Sequence, residues 1–219
     1  MNTAVEDYLK LIYELQSETK DGYIKNAKLA DHLGYTVQSV NEMIKRMDRK
    51  RLVNYQPYQG VKLTNKGRNE ALRMIRAHRI WEVFLSDKLG LSWEEIHDEA
   101  EKLEHATSSS ILDKLYDYLN QPKYCKHGNP IPDKEGKLAP AYNKTLFSQN
   151  VGERIVVKRV VDYKPLLKHL NRLDIRLNDH LQIIEKDDFA KTVKIVKNNR
   201  DITVSQTIAE MIFGETLKL

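Results

Sequence analysis

Between residues 97 and 105 the chain reads His-Asp-Glu-Ala-Glu-Lys-Leu-Glu-His. On a helix of 3.6 residues per turn, His97, Glu101, Glu104 and His105 share one face. Imidazole nitrogens and carboxylate oxygens on successive turns are the donors from which helical bundles build divalent-metal sites. Ile96, Ala100 and Leu103 follow the same turns on an adjacent stripe, so the ligand-type face borders a buried surface. A solvated charged face would account for any one of these residues. Four of them at i, i+4, i+7 and i+8 point instead to metal. His78 and Glu82 place a further imidazole and carboxylate four residues apart on one helix face.

Helical periodicity marks the elements that must carry these groups. Val5, Tyr8, Leu9, Leu11, Ile12 and Leu15 predict a first helix,. A short helix over Asn26–Leu33 ends at Gly34, and Thr36 caps a second helix whose inward stripe is Val37, Val40, Met43, Ile44 and Met47,. Two short β runs, 52–55 and 61–63, flank a Pro/Gly turn directly afterwards,. A helix-turn-helix followed by a hairpin is a winged helix. Thr64 caps a long helix over about 65–89. Ser92 with Glu95 forms a capping box that opens the His97–His105 helix at Trp93,, and another helix covers about 108–119. From Gln121 to Tyr142 the prolines at 122, 130, 132 and 140 predict a long linker or surface loop,. Strands are expected at 154–161, 180–185, 191–196 and 202–204, with short helices at 166–173 and 206–213. The expected fold is mainly α with a small β part: a winged helix-turn-helix over 1–72, a helical metal-binding domain with linker over 73–145, and an SH3-like barrel over 146–219.

A hydrophobic share of 41% is that of a globular protein. No apolar run approaches a membrane span, and the N-terminus lacks a basic-then-apolar signal pattern. The single cysteine, Cys125, excludes an internal disulfide framework,. These features predict a cytoplasmic protein without a membrane partner. Residues 1–75 carry thirteen Lys/Arg against nine Asp/Glu, whereas 76–145 carry ten against twelve. The first balance suits a polyanion and the second suits cations.

The predicted recognition helix exposes Gln38, Ser39, Asn41 and Glu42 after Thr36, where polar side chains reach base edges in the major groove. Lys45, Arg46, Arg49, Lys50 and Arg51 follow, placed to meet phosphates, with Lys62 and Tyr58 on the wing,. Five basic residues in the seven from 45 to 51, opposed only by Asp48, favour duplex DNA over a merely solvated face.

A winged helix followed by a helical domain with metal ligands resembles the diphtheria-toxin-repressor family, and within it the manganese transport regulators. The resemblance rests on Glu6-Asp7-Tyr8-Leu9, Ser39–Met47, the segment from His78-Arg79 to Glu82, His97–His105 and Cys125-Lys126-His127-Gly128, and it covers essentially the whole chain. It implies one metal site from Asp7, Glu101, Glu104 and His105. It implies a second from His78, Glu82, Cys125, His127 and Asp162, with His97 as an ancillary ligand. Hard carboxylates with one imidazole suit Mn²⁺, with Fe²⁺ or Zn²⁺ as alternatives and Zn²⁺ favoured where Cys125 takes part. Lys10 stands where some members carry a second carboxylate, which argues against a two-metal cluster at Asp7. The implied protein is a manganese-responsive repressor that binds palindromic operator DNA as a homodimer, controls metal-uptake genes and takes no small-molecule substrate. Two other readings stay in view. One is a metalloenzyme, for which the chain offers no clear nucleophile or phosphate loop. The other is a winged-helix regulator sensing iron or another effector, in which the His/Glu helix is structural and DNA binding ignores chelators.

Overall fold

The computed structural model describes residues 2–16, 19, 21–93 and 95–217. Its elements run α1 (Thr3–Gln16), α2 (Asn26–Leu33), α3 (Val37–Arg49), β1 (Val53–Gln56), β2 (Gly60–Leu63), α4 (Asn65–Leu89), α5 (Glu95–Ala106), α6 (Ser109–Tyr118), β3 (Arg154–Val160), α7 (Lys164–Arg172), β4 (His180–Asp187), β5 (Thr192–Lys197), β6 (Arg200–Ser205), α8 (Gln206–Glu210) and β7 (Ile212–Leu217). No described helix is long and apolar enough to cross a membrane. The chain divides into two compact units: Met1–His78 with Lys102–Ser109 and Pro132–Lys137, and Arg79–Glu101 with Ser110–Ile131 and Leu138–Leu219.

The first unit is the winged helix with the last turn of α5. α1 buries Val5, Tyr8, Leu9, Ile12 and Leu15, the stripe its sequence spacing dictates. These pack with Leu29, Val40, Ile44, Met47, Leu52 and Val61 in one core. The Thr36 hydroxyl accepts from the Ser39 N–H at 3.2 Å and starts α3,. β1 and β2 pair antiparallel from Val53↔Leu63 to Gln56↔Gly60, forming the wing. α4 leaves the wing at Thr64, whose hydroxyl donates to the Arg51 and Leu52 carbonyls.

In the second unit one half of the expected capping box forms: Glu95 Oε2 accepts from the Ser92 N–H at 2.9 Å and also from its hydroxyl at 2.7 Å, while the Glu95 N–H donates to the Ser92 carbonyl at 3.0 Å instead of to the hydroxyl,. The helix itself is described from Glu95, and Glu94 lies outside the described residues. The β part is an SH3-like antiparallel sheet in the order β6-β5-β4-β3-β7, around Ile155, Val157, Leu181, Ile183, Val193, Ile195 and Ile212. Three expectations are corrected. Val37, expected in the inward stripe of α3, is 46% exposed, because it stands at the first position of the helix, ahead of the turns that pack on the core. Helix α8 stops at Glu210, and Ile212–Leu217, expected partly as helix and otherwise unassigned, is a strand paired with β3. Its ladder partner lies about sixty residues away, Arg154 facing Leu217, so local spacing could not reveal it. The 121–142 segment has no regular helix or strand, but it is not a surface loop throughout, because Cys125 and the run from His127 to Pro132 are buried.

Gly67 gives this packing a sharp test. A Cβ there would meet the Leu52 carbonyl oxygen at 1.9 Å. Gly→Ala inside an open helix stabilises by about 0.8–1 kcal/mol. Here the expected sign is reversed: Gly67→Ala overpacks the crossing of α4 with the wing and costs about 1–3 kcal/mol. Urea unfolding should show a lower midpoint, and a raised midpoint would contradict the close approach.

Candidate metal centres and nucleic-acid face

In the first unit α1 and the last turn of α5 bring together Asp7, Glu104 and His105, whose ligand-type atoms lie within 4.8 Å of one another. Glu104 is fully buried. His105 Nε2 lies 3.1 Å from Asp7 Oδ1 and 3.6 Å from Glu104 Oε1, while Nδ1 is 2.8 Å from Glu6 Oε2. Lys10 donates to both Glu104 oxygens, at 3.1 and 3.0 Å. His78 Nδ1 is 2.5 Å from Glu104 Oε2 and 3.1 Å from Lys10 Nζ. One ring nitrogen cannot donate to the carboxylate and accept from the ammonium at once, so these two contacts are alternatives. The Lys10 ammonium supplies the positive charge that a second cation beside Glu104 would bring. Glu101 is engaged elsewhere, with Oε2 at 3.1 Å from His97 Nε2 and a side chain 45% exposed.

In the second unit Glu82, Cys125 and His127, all buried, form another group within 4.8 Å, and Glu82 also groups with His97 and Asp162. His127 Nδ1 lies 2.8 Å from Glu82 Oε1 and 3.5 Å from Asp162 Oδ1. His127 Nε2 lies 3.1 Å from the Trp93 carbonyl oxygen, which can only accept a hydrogen bond. With an acceptor at each nitrogen the metal-free ring donates on both sides, and the Trp93 carbonyl would keep the hydrogen on Nε2 if a cation displaced the one on Nδ1, which faces the carboxylates,. His97 Nδ1 is 3.0 Å from Asp162 Oδ1. Burial works against protonating His127, but the Glu82 carboxylate, the Cys125 and Glu82 hydrogen bonds and Asp162 outweigh it and push its pKa up to about 12. Burial, followed by Glu82, raises the Cys125 thiol, and His127 offsets part of that rise.

Backbone geometry explains the Cys-x-His-Gly spacing. The Gly128 N–H donates to the Cys125 carbonyl at 3.0 Å, and the Cys125 N–H donates to that of Asn129 at 2.9 Å. This turn is docked on β3, where the Val160 N–H donates to the His127 carbonyl at 3.0 Å. Asp162 follows two residues after β3 ends. Gly128 has φ +79°, and a Cβ on it would lie 1.9 Å from the Lys158 carbonyl oxygen.

Both donor sets suit a divalent cation. Asp7, Glu104 and His105 offer hard oxygens and one imidazole, whereas Cys125 adds a soft thiolate to the other centre. Sequence reasoning missed Glu6, Arg73 and the Trp93 carbonyl. Glu6 stands beside Asp7 and could have been found as a second carboxylate on the buried side of α1, but a main-chain carbonyl leaves no mark in a sequence.

On α3, Gln38, Ser39, Glu42, Lys45, Arg46 and Arg49 are exposed, as are Thr36 and Lys50 beside it. Ser39, Glu42, Lys45, Arg46 and Arg49 line one shallow groove together with Met43. Asn41 is half-buried, and its carboxamide oxygen accepts from Asn26 Nδ2 at 2.6 Å. That contact ties α2 to α3. Lys62 is half-buried, with its ammonium 4.4 Å from the Tyr23 ring centroid, and Tyr58 is fully exposed at the wing tip.

Three stretches match known families. Residues 1–61 match the iron dependent repressor N-terminal DNA binding domain, 64–133 the iron dependent repressor metal binding and dimerisation domain, and 144–216 the FeoA domain. The iron-dependent repressor IdeR of Mycobacterium leprae is 37% identical over 127 residues, covering 58% of this chain and 54% of that one. The chain thus spans about half the length of that relative. The diphtheria toxin repressor of Corynebacterium jeikeium is 35% identical over 164 residues, covering 73% and 68%. Among solved structures, the manganese regulator SloR superposes with a TM-score of 0.85 at 35% identity over 97% of this chain and 98% of that one. ScaR with bound Cd²⁺ gives 0.87 at 32% over the whole of both chains.

Gly128→Ala should weaken metal binding at the Cys125 centre alone. Left-handed strain of about 1–3 kcal/mol, at tenfold per 1.4 kcal/mol, corresponds to about 5–150-fold. Co²⁺ titration reads this through the sulfur-to-metal charge-transfer band, which only a thiolate ligand produces. An unchanged titration would contradict the role given to the turn.

Proposed function

The chain belongs to the iron-dependent repressor family that includes the diphtheria toxin repressors, and from that premise we propose that it is a manganese-responsive transcriptional repressor of metal-uptake genes. It binds a palindromic operator as a metal-activated homodimer, with residues 1–72 reading DNA, 73–145 binding metal and pairing two copies, and 146–219 contributing Asp162. The observation that carries this reading is the cluster of Asp7 with Glu104 and His105. Asp7 belongs to the first helix of the winged helix, and the other two side chains come from α5, about a hundred residues later.

Bound there, a divalent cation supplies positive charge shared between the two helices. Asp7 would hold it from α1, and Glu104 and His105 would hold it from α5. The winged helix then has a preferred seat, and the two copies in a dimer present their α3 helices at one spacing. Operator half-sites lie one or more helical turns apart, so spacing decides affinity. Moving a population from 1:99 to 99:1 takes about 5.5 kcal/mol of preference, which centres acting together in a dimer can provide. By linkage, operator DNA tightens metal binding by the same factor.

Carboxylate oxygens with a single imidazole support Mn²⁺ at the Asp7 centre. The Cys125 thiol supports Zn²⁺ as an alternative occupant of the other. The sequence likeness to iron-dependent repressors supports Fe²⁺ as the second reading of the signal.

Operator affinity measured by fluorescence anisotropy at fixed salt should be high with Mn²⁺ and fall about 5–150-fold with chelator. Asp7→Ala should remain near the chelator level when Mn²⁺ is added. Full metal-dependent affinity in Asp7→Ala would defeat the proposal, and a stronger response to Fe²⁺ than to Mn²⁺ would select the second reading. Arg46→Ala should weaken binding on all sequences and flatten the salt dependence by about one unit of log–log slope.

A further inference from the structure

Around the Asp7 centre a second carboxylate is held in a chain of contacts that none of the implied ligand assignments uses. Glu6, with 4% of its surface exposed, lies between two nitrogen donors. Arg73 Nη2 donates to Glu6 Oε1 at 2.8 Å, and His105 Nδ1 lies 2.8 Å from Glu6 Oε2. Arg73 is itself steadied by Glu70, one turn earlier on α4, through Nε to Oε2 at 3.1 Å. The other nitrogen of the same imidazole, Nε2, points at Asp7 Oδ1, 3.1 Å away. Neighbouring residues of α1 thus face the two sides of one ring.

We propose that Glu6, anchored by Arg73, is a positioning residue that assigns the Nδ1 hydrogen of His105 to itself and so leaves Nε2 as the metal-binding nitrogen. The inference rests on the reading of Asp7, Glu104 and His105 as a metal centre. An imidazole ligates through whichever nitrogen carries no hydrogen, and the partner of the other nitrogen decides which that is. Glu6 does this from α1, and Arg73 fixes Glu6 from α4. Metal affinity at a centre made by α1 and α5 therefore depends on how α1 is seated against α4.

Glu6→Gln is the discriminating change because it keeps shape and removes one acceptor. If the Gln oxygen stays on Arg73, its amide N–H₂ faces His105 Nδ1, which must then accept, and the hydrogen moves to Nε2. If the amide flips, its N–H₂ faces the guanidinium donors instead. Neither arrangement satisfies both neighbours.

The test uses the full chain loaded with ¹¹³Cd²⁺ and labelled with ¹⁵N-histidine, together with Mn²⁺ affinities for wild type, Glu6→Gln, Arg73→Met and the double variant. Expected in the wild type are cadmium coupling to His105 Nε2 and a retained Nδ1 hydrogen. Glu6→Gln should lose about 10–100-fold in Mn²⁺ affinity at this centre. Arg73→Met, at a residue whose side chain is 33% exposed, should lose less, and its effect should vanish in the Glu6→Gln background. Wild-type affinity in Glu6→Gln, cadmium coupling through Nδ1, or additive losses in the double variant would each overturn the inference. Asp7→Ala run in parallel separates the two levels. If it also keeps wild-type Mn²⁺ affinity, the metal centre itself is wrong, whereas its loss beside an unaffected Glu6→Gln removes only the role of Glu6.

Discussion

Glu82 and Glu104 carry side chains with no exposure to solvent, and each constrains the side chains packed around it within its own unit. Taking a carboxylate out of water costs several kcal/mol unless cations and hydrogen bonds replace the lost hydration. Glu104 is met by the Lys10 ammonium and by His78, and Glu82 by His127. Each carboxylate thus recruits partners from helices or turns distant in sequence, and each lies among further donors that a divalent cation could share. Removing one partner leaves a buried charge behind, so these positions tolerate change less well than their polarity suggests.

The two centres place their histidines by opposite edges. His105 has Nδ1 against Glu6 and Nε2 toward Asp7. His127 has Nε2 against the Trp93 carbonyl and Nδ1 toward Glu82. In both cases one nitrogen is taken by a fixed acceptor and the other faces carboxylates, which is the division of labour a metal-binding imidazole needs. The acceptors differ in kind. A side-chain carboxylate carries charge and is held by Arg73, whereas a main-chain carbonyl carries none. α5 supplies residues to both groupings, with His97 near its start and Glu104 and His105 in its last turn.

Periodicity was enough for most of the fold. The apolar stripe of α1, the Val40, Ile44 and Met47 stripe of α3, the Thr36 cap and the return of Glu95 to the Ser92 N–H are local patterns, and each forms where its residues lie. The strand Ile212–Leu217 escaped because a strand is completed by its neighbour, here β3. The buried run from His127 to Pro132 looked like surface because prolines and a glycine mark irregular backbone, not exposure. Its backbone groups meet β3, its own turn and the Arg79 guanidinium of α4, a solution that local composition does not announce.

The helical spacing of His97, Glu101, Glu104 and His105 was legible from the sequence, yet that spacing alone assigns them all to one face. The tertiary structure divides them. Glu104 and His105 meet Asp7, while Glu101 turns to His97. A helix surface spans many degrees, and a side chain at its margin is claimed by whichever packed neighbour offers the better partner. The amino-acid sequence by itself determined which donors exist, on which elements, and that α3 carries the basic face. Only the packed chain decided which donors converge, which nitrogen of each imidazole is taken, and that Lys10 stands against Glu104, because those outcomes depend on contacts between residues tens of positions apart.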